Sequence, residues 1–193
     1  FLQCTCRLLK NEKLYIMKYF SKYYILLSTV FILCFFTQNA FSQERSEEDK
    51  RAMYIFNIAY GVSWENAENI NSYTIGVFSS KPEFNSIEKL AASSVINGKP
   101  VEVIRYTSYT QIQANHIVYV SRNENAYLGM VYERLKDKNV LIISDRSKEP
   151  QFSVINFRKL DESVQQFDIN THLAEVQRLK ISTQILKLGG SRE

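Results

Sequence analysis

Three apolar runs in this chain end in small polar or charged residues. Ser79-Ser80 follows Tyr73–Phe78, Ser121-Arg122 follows His116–Val120, and Ser144-Asp145-Arg146 closes Asn139–Ser144. If the runs are parallel strands, these residues gather at one edge of the sheet. Open α/β sheets collect ligands there, outside the carboxyl ends of their strands. Ser80 also opens a helix, whose free N–H groups favour an anion. Arg122 and Arg146 could add bidentate, charge-assisted contacts to a carboxylate or phosphate. The chemistry on offer is binding. The same residues also have a plainer use, with the serines as caps and turn residues and the arginines as solvated surface.

Catalysis has little to stand on. The chain has no Gly-x-Ser-x-Gly elbow, no glycine loop for phosphates and no His-Glu-x-x-His pattern, and no pair of carboxylates stands out. The two histidines, His116 and His172, lack metal-ligand spacing. We expect no catalytic residue, metal or cofactor, with His116 structural at a strand start and His172 on the surface or capping a helix. Trp64, the single tryptophan, reads as a partly buried anchor at the end of the first helix. Its alternative role is a contact for a partner, where a large apolar ring with one donor is effective.

Alternating helices and strands must position these residues. Ser46–Trp64 reads as a helix with charged first turns and apolar later ones. Tyr73–Phe78 reads as a buried strand, and Ser80, Pro82 and Glu83 spell a capping box for a helix through Leu90. Asn97-Gly98 is a turn before a strand at Val101–Arg105. Ser108 and Gln111 could cap one helical turn before the strand His116–Val120. Leu128, Val131, Tyr132 and Leu135 form one helical stripe after Asn123. Beyond Pro150, Ser153–Arg158 and Val164–Ile169 read as a hairpin turning at Lys159–Ser163. Short helical segments follow around Leu173–Leu179 and at Thr183–Leu188, with Gly189-Gly190 in a terminal tail. This succession predicts an α/β fold: a mostly parallel sheet with helices on both faces and a C-terminal β-hairpin.

The first 42 residues carry a different message. Lys18 and Lys22 precede the uncharged, largely apolar run Tyr23–Phe36, and Ala40-Phe41-Ser42 offers small residues to a signal peptidase. The expectation is a signal peptide over 17–42, starting at Met17 and cleaved before Gln43, with 1–16 an upstream extension that is not native. A largely apolar run of fourteen residues is short against the ~18–20 that cross a bilayer. A membrane anchor facing the periplasm is the alternative. The 151 residues from Gln43 onward make one domain with 19 basic and 19 acidic residues. The basic excess of the full chain therefore belongs to the leader, and nothing points to nucleic acid. Cys4, Cys6 and Cys34 also precede Gln43, leaving the exported part without thiols.

The order of several pieces resembles the YfiR family of periplasmic regulatory proteins. They are Tyr54-Ile55-Phe56-Asn57-Ile58-Ala59 with Trp64-Glu65, and Tyr73–Phe78 followed by Ile96-Asn97-Gly98-Lys99-Pro100-Val101. Then come His116–Ser121 with Val140–Asp145, and Phe167-Asp168-Ile169-Asn170 with Leu179–Ser182 and Leu186-Lys187-Leu188. The resemblance spans 43–193 and implies a non-enzymatic protein that binds the periplasmic sensor region of an inner-membrane diguanylate cyclase and represses it. Related domains are similar to sensor modules of histidine kinases, so a small-ligand sensor acting through such a partner is the second expectation. A homodimer fits either. The chain departs from better-known members by lacking cysteines after Gln43, and by having small residues at Gly61 and Ser63 with no proline after Trp64.

Overall fold

The computed structural model describes residues 46–65, 67–160 and 165–192. These residues belong to the second of two compact units of the chain, 45–193. The expected leader over 17–42 and its cleavage site lie outside the described residues.

Helix α1 (Glu47–Tyr60) begins where Ser46 accepts a hydrogen bond from the Asp49 N–H at 3.1 Å. Acidic Glu47, Glu48 and Asp49 fill its first turn, as the helix dipole favours. The helix stops at Tyr60, four residues before the expected Trp64. Gly61 is the reason. A Cβ there would lie 2.3 Å from Ile185 Cγ1, so only glycine lets the chain turn against that neighbour. Val62–Ser63 then leave the helix as β1.

Strand β2 (Tyr73–Phe78) has the expected bounds and leads into α2 (Lys81–Ala91). The Glu83 carboxylate accepts from the Ser80 N–H at 3.2 Å and from the Ser80 hydroxyl at 2.9 Å. Strand β3 (Val95–Ile96), not expected from the sequence, meets β4 (Lys99–Tyr106) across Asn97 and Gly98. Both turn residues have positive φ, 50° and 75°, the mirror-image turn that suits a tight hairpin. Then come β5 (Ile117–Val120), a 3₁₀ segment at Arg122–Tyr127, α3 (Leu128–Leu135) and β6 (Leu141–Asp145).

Strand β7 (Ile155–Leu160) lies antiparallel to β8 (Gln165–Asn170), while most of the turn expected between them falls outside the described residues. The chain ends with α4 (Thr171–Val176), β9 (Lys180–Ile181), α5 (Thr183–Leu188) and β10 (Gly190–Arg192). The expected glycine tail is thus a strand, parallel to β8 from Gly190 to Arg192. A small separate sheet pairs β1 with β9, Val62 opposite Ile181.

The large sheet runs β10-β8-β7-β6-β5-β2-β4-β3, with β4, β2, β5, β6 and β7 mutually parallel. Its two faces carry two apolar layers. Ile75, Val77, Ile117, Tyr119, Leu141 and Ile143 pack with Ile55, Ile58 and Ala59 of α1 and Ile87 of α2. Val118, Val120 and Ile142 alternate with them and pack with Leu128, Val131 and Leu135 of α3. The molecule is a mixed α/β fold with both faces of its central strands covered.

Candidate binding cleft at the strand tips

The chain runs from β2 outward to β4, then returns across β2 to β5 and continues to β6. The direction of winding therefore reverses between β2 and β5. Such a switch point opens a crevice at the carboxyl ends of the strands. In register, Phe78, Val120 and Ser144 lie side by side, so the next row of the sheet is Ser79, Ser121 and Asp145. By the alternation of the strands this row belongs to the face covered by α1 and α2. Ser144 lies one row back and faces the other way.

A cleft of about 160 Å³ opens beside this row, lined by Glu47, Glu48, Arg51, Glu83, Arg122, Asn123, Asp145 and Arg146. Of the seven strand-end residues expected to bind, Arg122, Asp145 and Arg146 line it directly. Ser79, Ser80 and Ser121 sit in the same strand tips with divided duties. Ser79 Oγ donates to the Ser80 carbonyl at 3.0 Å. The hydroxyl and N–H of Ser80 are engaged by Glu83. Ser121 is fully buried, and its Oγ has no hydrogen-bond partner among the described residues. Ser144 bonds to Ser153 at 2.7 Å and Asn156 at 2.9 Å, so it serves the packing of β6 against β7 and does not join the cleft.

The electrostatics are mixed rather than simply basic. Arg51, 3 % exposed, pairs with Asp145 at 3.0 Å and lies over the Phe157 ring. Arg146 pairs with Glu47 and sits 3.6 Å from Asp145 Oδ1. It does so from a left-handed backbone, φ 54°, a conformation that costs a non-glycine residue about 1–2 kcal/mol. Burial holds the Asp145 carboxyl above the usual aspartate range, with Arg51 and Arg146 pulling it back. Burial, then Asp145 and Glu83, push the fully buried Tyr119 phenol well above 10, so it stays a neutral donor. A bare anion would meet four carboxylates here as well as three guanidinium groups.

Sequence reasoning missed Glu47, Arg51 and Tyr119 as neighbours of the strand tips, and had Glu83 only as the capping partner of Ser80. Arg51 carried a signal, because it lies one helical turn before Ile55 and two before Ile58–Ala59 on the buried stripe of α1. Tyr119 carried none, since an aromatic residue in an apolar strand reads as core.

Trp64 belongs to the opposite end of the sheet. It is 4 % exposed, its Nε1 donates to the His116 carbonyl at 3.1 Å, and its ring meets Tyr73 edge-on at 5.2 Å. It is an anchor, and its burial removes it as a surface for a partner. His116 completes that cluster. Its Nδ1 accepts from the Thr74 N–H at 3.0 Å, and burial lowers its affinity for a proton. Among the described residues no group of three or more acidic, histidine or cysteine side chains could hold a metal, and no helix is long and apolar enough to cross a membrane.

A family model described as YfiR/HmsC-like (DUF4154) matches residues 48–190, from the first turn of α1 to the start of β10. No curated protein matches the chain. The family model covers the strand tips, the Trp64 anchor and every residue lining the cleft except Glu47. On that match the chain belongs to the YfiR/HmsC-like family.

Proposed function

We propose that the protein is an exported regulator that binds the periplasmic sensor region of an inner-membrane signalling protein, a diguanylate cyclase, and represses it. The observation that carries this reading is the family match over 48–190. The leader ending at Ser42 supplies the route of export, and the domain after it works in the periplasm. Tyr127 and Met130, 41 % and 50 % exposed, offer apolar surface to a partner, with Tyr109 stacked on Tyr127 at 5.2 Å.

The test is periplasmic crosslinking with the tagged protein, followed by mass spectrometry. Enrichment of one inner-membrane cyclase, with a rise in cyclic di-GMP when the gene is deleted, is the expected result. Recovery of the protein alone, with membrane proteins detectable in the input, would overturn it. The cleft at the strand tips favours a second reading, a ligand sensor that reports through a histidine kinase. Enrichment of a kinase, with cyclic di-GMP unchanged, would select that reading.

A further inference from the structure

Outside the expected leader the sequence carries no cysteine, so its sulfur is confined to two thioethers, Met53 and Met130. Their surroundings differ. Met53 is half-buried on α1, whereas Met130 is 50 % exposed on α3. The helix turns its other apolar residues inward. Leu128, Val131 and Leu135 pack on the sheet, and Tyr132 meets the Phe152 ring at 5.5 Å. Tyr127, one turn before Met130, is also exposed and stacks on Tyr109 at 5.2 Å. Met130 is thus the more accessible of the two sulfurs, and it stands on the apolar surface offered to the partner.

An exposed thioether is open to oxidation by hydrogen peroxide. The sulfur lone pair attacks one peroxide oxygen, an S–O bond forms and the O–O bond breaks. The second oxygen leaves with both hydrogens as water. Sulfur gives up two electrons and the peroxide takes them. The product exchanges an apolar, polarisable side chain for one that carries a strong acceptor, the sulfoxide oxygen. At an exposed position water satisfies that oxygen, so the fold is kept. In a contact that excludes water it is an acceptor without a donor, which weakens the contact.

We propose that Met130 is a site of reversible oxidation by peroxides, and that its sulfoxide weakens attachment of the partner at Tyr127 and Met130. The second half rests on the partner reading given above; the first does not. The free protein is the form that reacts, because a bound partner covers the sulfur. Oxidation therefore blocks re-association instead of breaking a contact already made.

Hydrogen peroxide treatment of the purified protein, followed by peptide mass mapping, tests the site. Met130 should gain one oxygen at least about threefold faster than Met53. Hydrophobic-interaction chromatography should then elute the oxidised protein earlier. Met130→Leu, a volume-conserving change at an exposed position, should abolish that shift. In the periplasmic crosslinking above, oxidised protein should capture severalfold less partner, and methionine sulfoxide reductase should restore the capture. Met130→Leu, oxidised in the same way, should capture as much as before. Equal rates at Met53 and Met130, or no chromatographic shift, would overturn the oxidation site. Unchanged capture after oxidation, or an equal loss in Met130→Leu, would overturn its effect on the partner. If the untreated protein captures no membrane protein, the partner reading fails instead, and mass mapping with chromatography still decides the site.

Discussion

Arg51 and Asp145 show how one buried pair ties the first helix to the sheet. The pair joins the amino end of α1 to the tip of β6, with both side chains almost fully removed from water. Desolvation of two charges offsets most of their attraction, but removing one partner strands the other. Asp145→Asn should therefore lower stability by about 3–5 kcal/mol in urea unfolding, while Arg51→Met with Asp145→Leu should recover most of the loss. His116 makes a second residue-level prediction. Its Nδ1 must stay unprotonated to accept from Thr74, and burial holds its pKa below 6.5. Below that value the unfolded chain takes up a proton that the folded chain resists, so stability falls as pH drops through the window and is fully present above it. Urea midpoints at roughly pH 7.5 and pH 5 should show this, and His116→Asn, which keeps an acceptor but does not titrate, should flatten the difference.

At the scale of elements, β2 is the piece with least room to vary. Gly76 lies mid-strand, and a Cβ there would come 2.6 Å from Asn115 Oδ1 and 2.8 Å from Tyr106 Cε2. Those two groups are bonded to each other, Tyr106 donating to Asn115 at 2.9 Å in a buried position. Gly76→Ala should cost about 1–3 kcal/mol, measured by thermal unfolding, because strand and hydrogen bond cannot both keep their places. The start of α2 is more tolerant. Glu83→Ala frees the N–H and hydroxyl of Ser80 and should cost about 1 kcal/mol, with the sheet intact by circular dichroism. The helix at α2 was legible because a capping box is a local pattern. The end of α1 was not, because Gly61 answers to Ile185, far away in the chain.

For the molecule as a whole, regulation requires a face that a partner can reach. Tyr127 and Met130 are solvent-facing on the α3 side of the sheet, whereas Trp64 is enclosed. Tyr127→Ser with Met130→Ser should keep the protein folded and lower its unfolding free energy by about 0.5–1.5 kcal/mol, the loss expected with the stacking of Tyr127 on Tyr109. The same variant should reduce crosslinking to the membrane partner severalfold if this face is the contact. Unchanged crosslinking would move the contact elsewhere on the surface.

Local physics was enough for much of the architecture. A continuous apolar run of β-formers bounded by Ser79-Ser80 placed β2 to the residue, turn chemistry placed Asn97-Gly98, and Ser80 with Glu83 placed the start of α2. The order of those pieces along the chain sufficed for the family resemblance. Only the tertiary structure decided what the strand-end residues do. Whether a serine after a strand binds, caps or packs depends on which row and face of the sheet it occupies, and on what folds over it. Ser144 and Ser121 end similar apolar runs, yet one is spent on Ser153 and Asn156 and the other is enclosed with no hydrogen-bond partner among the described residues. Strand register and the approach of α1 make that difference, and both arise from contacts between residues distant in the chain.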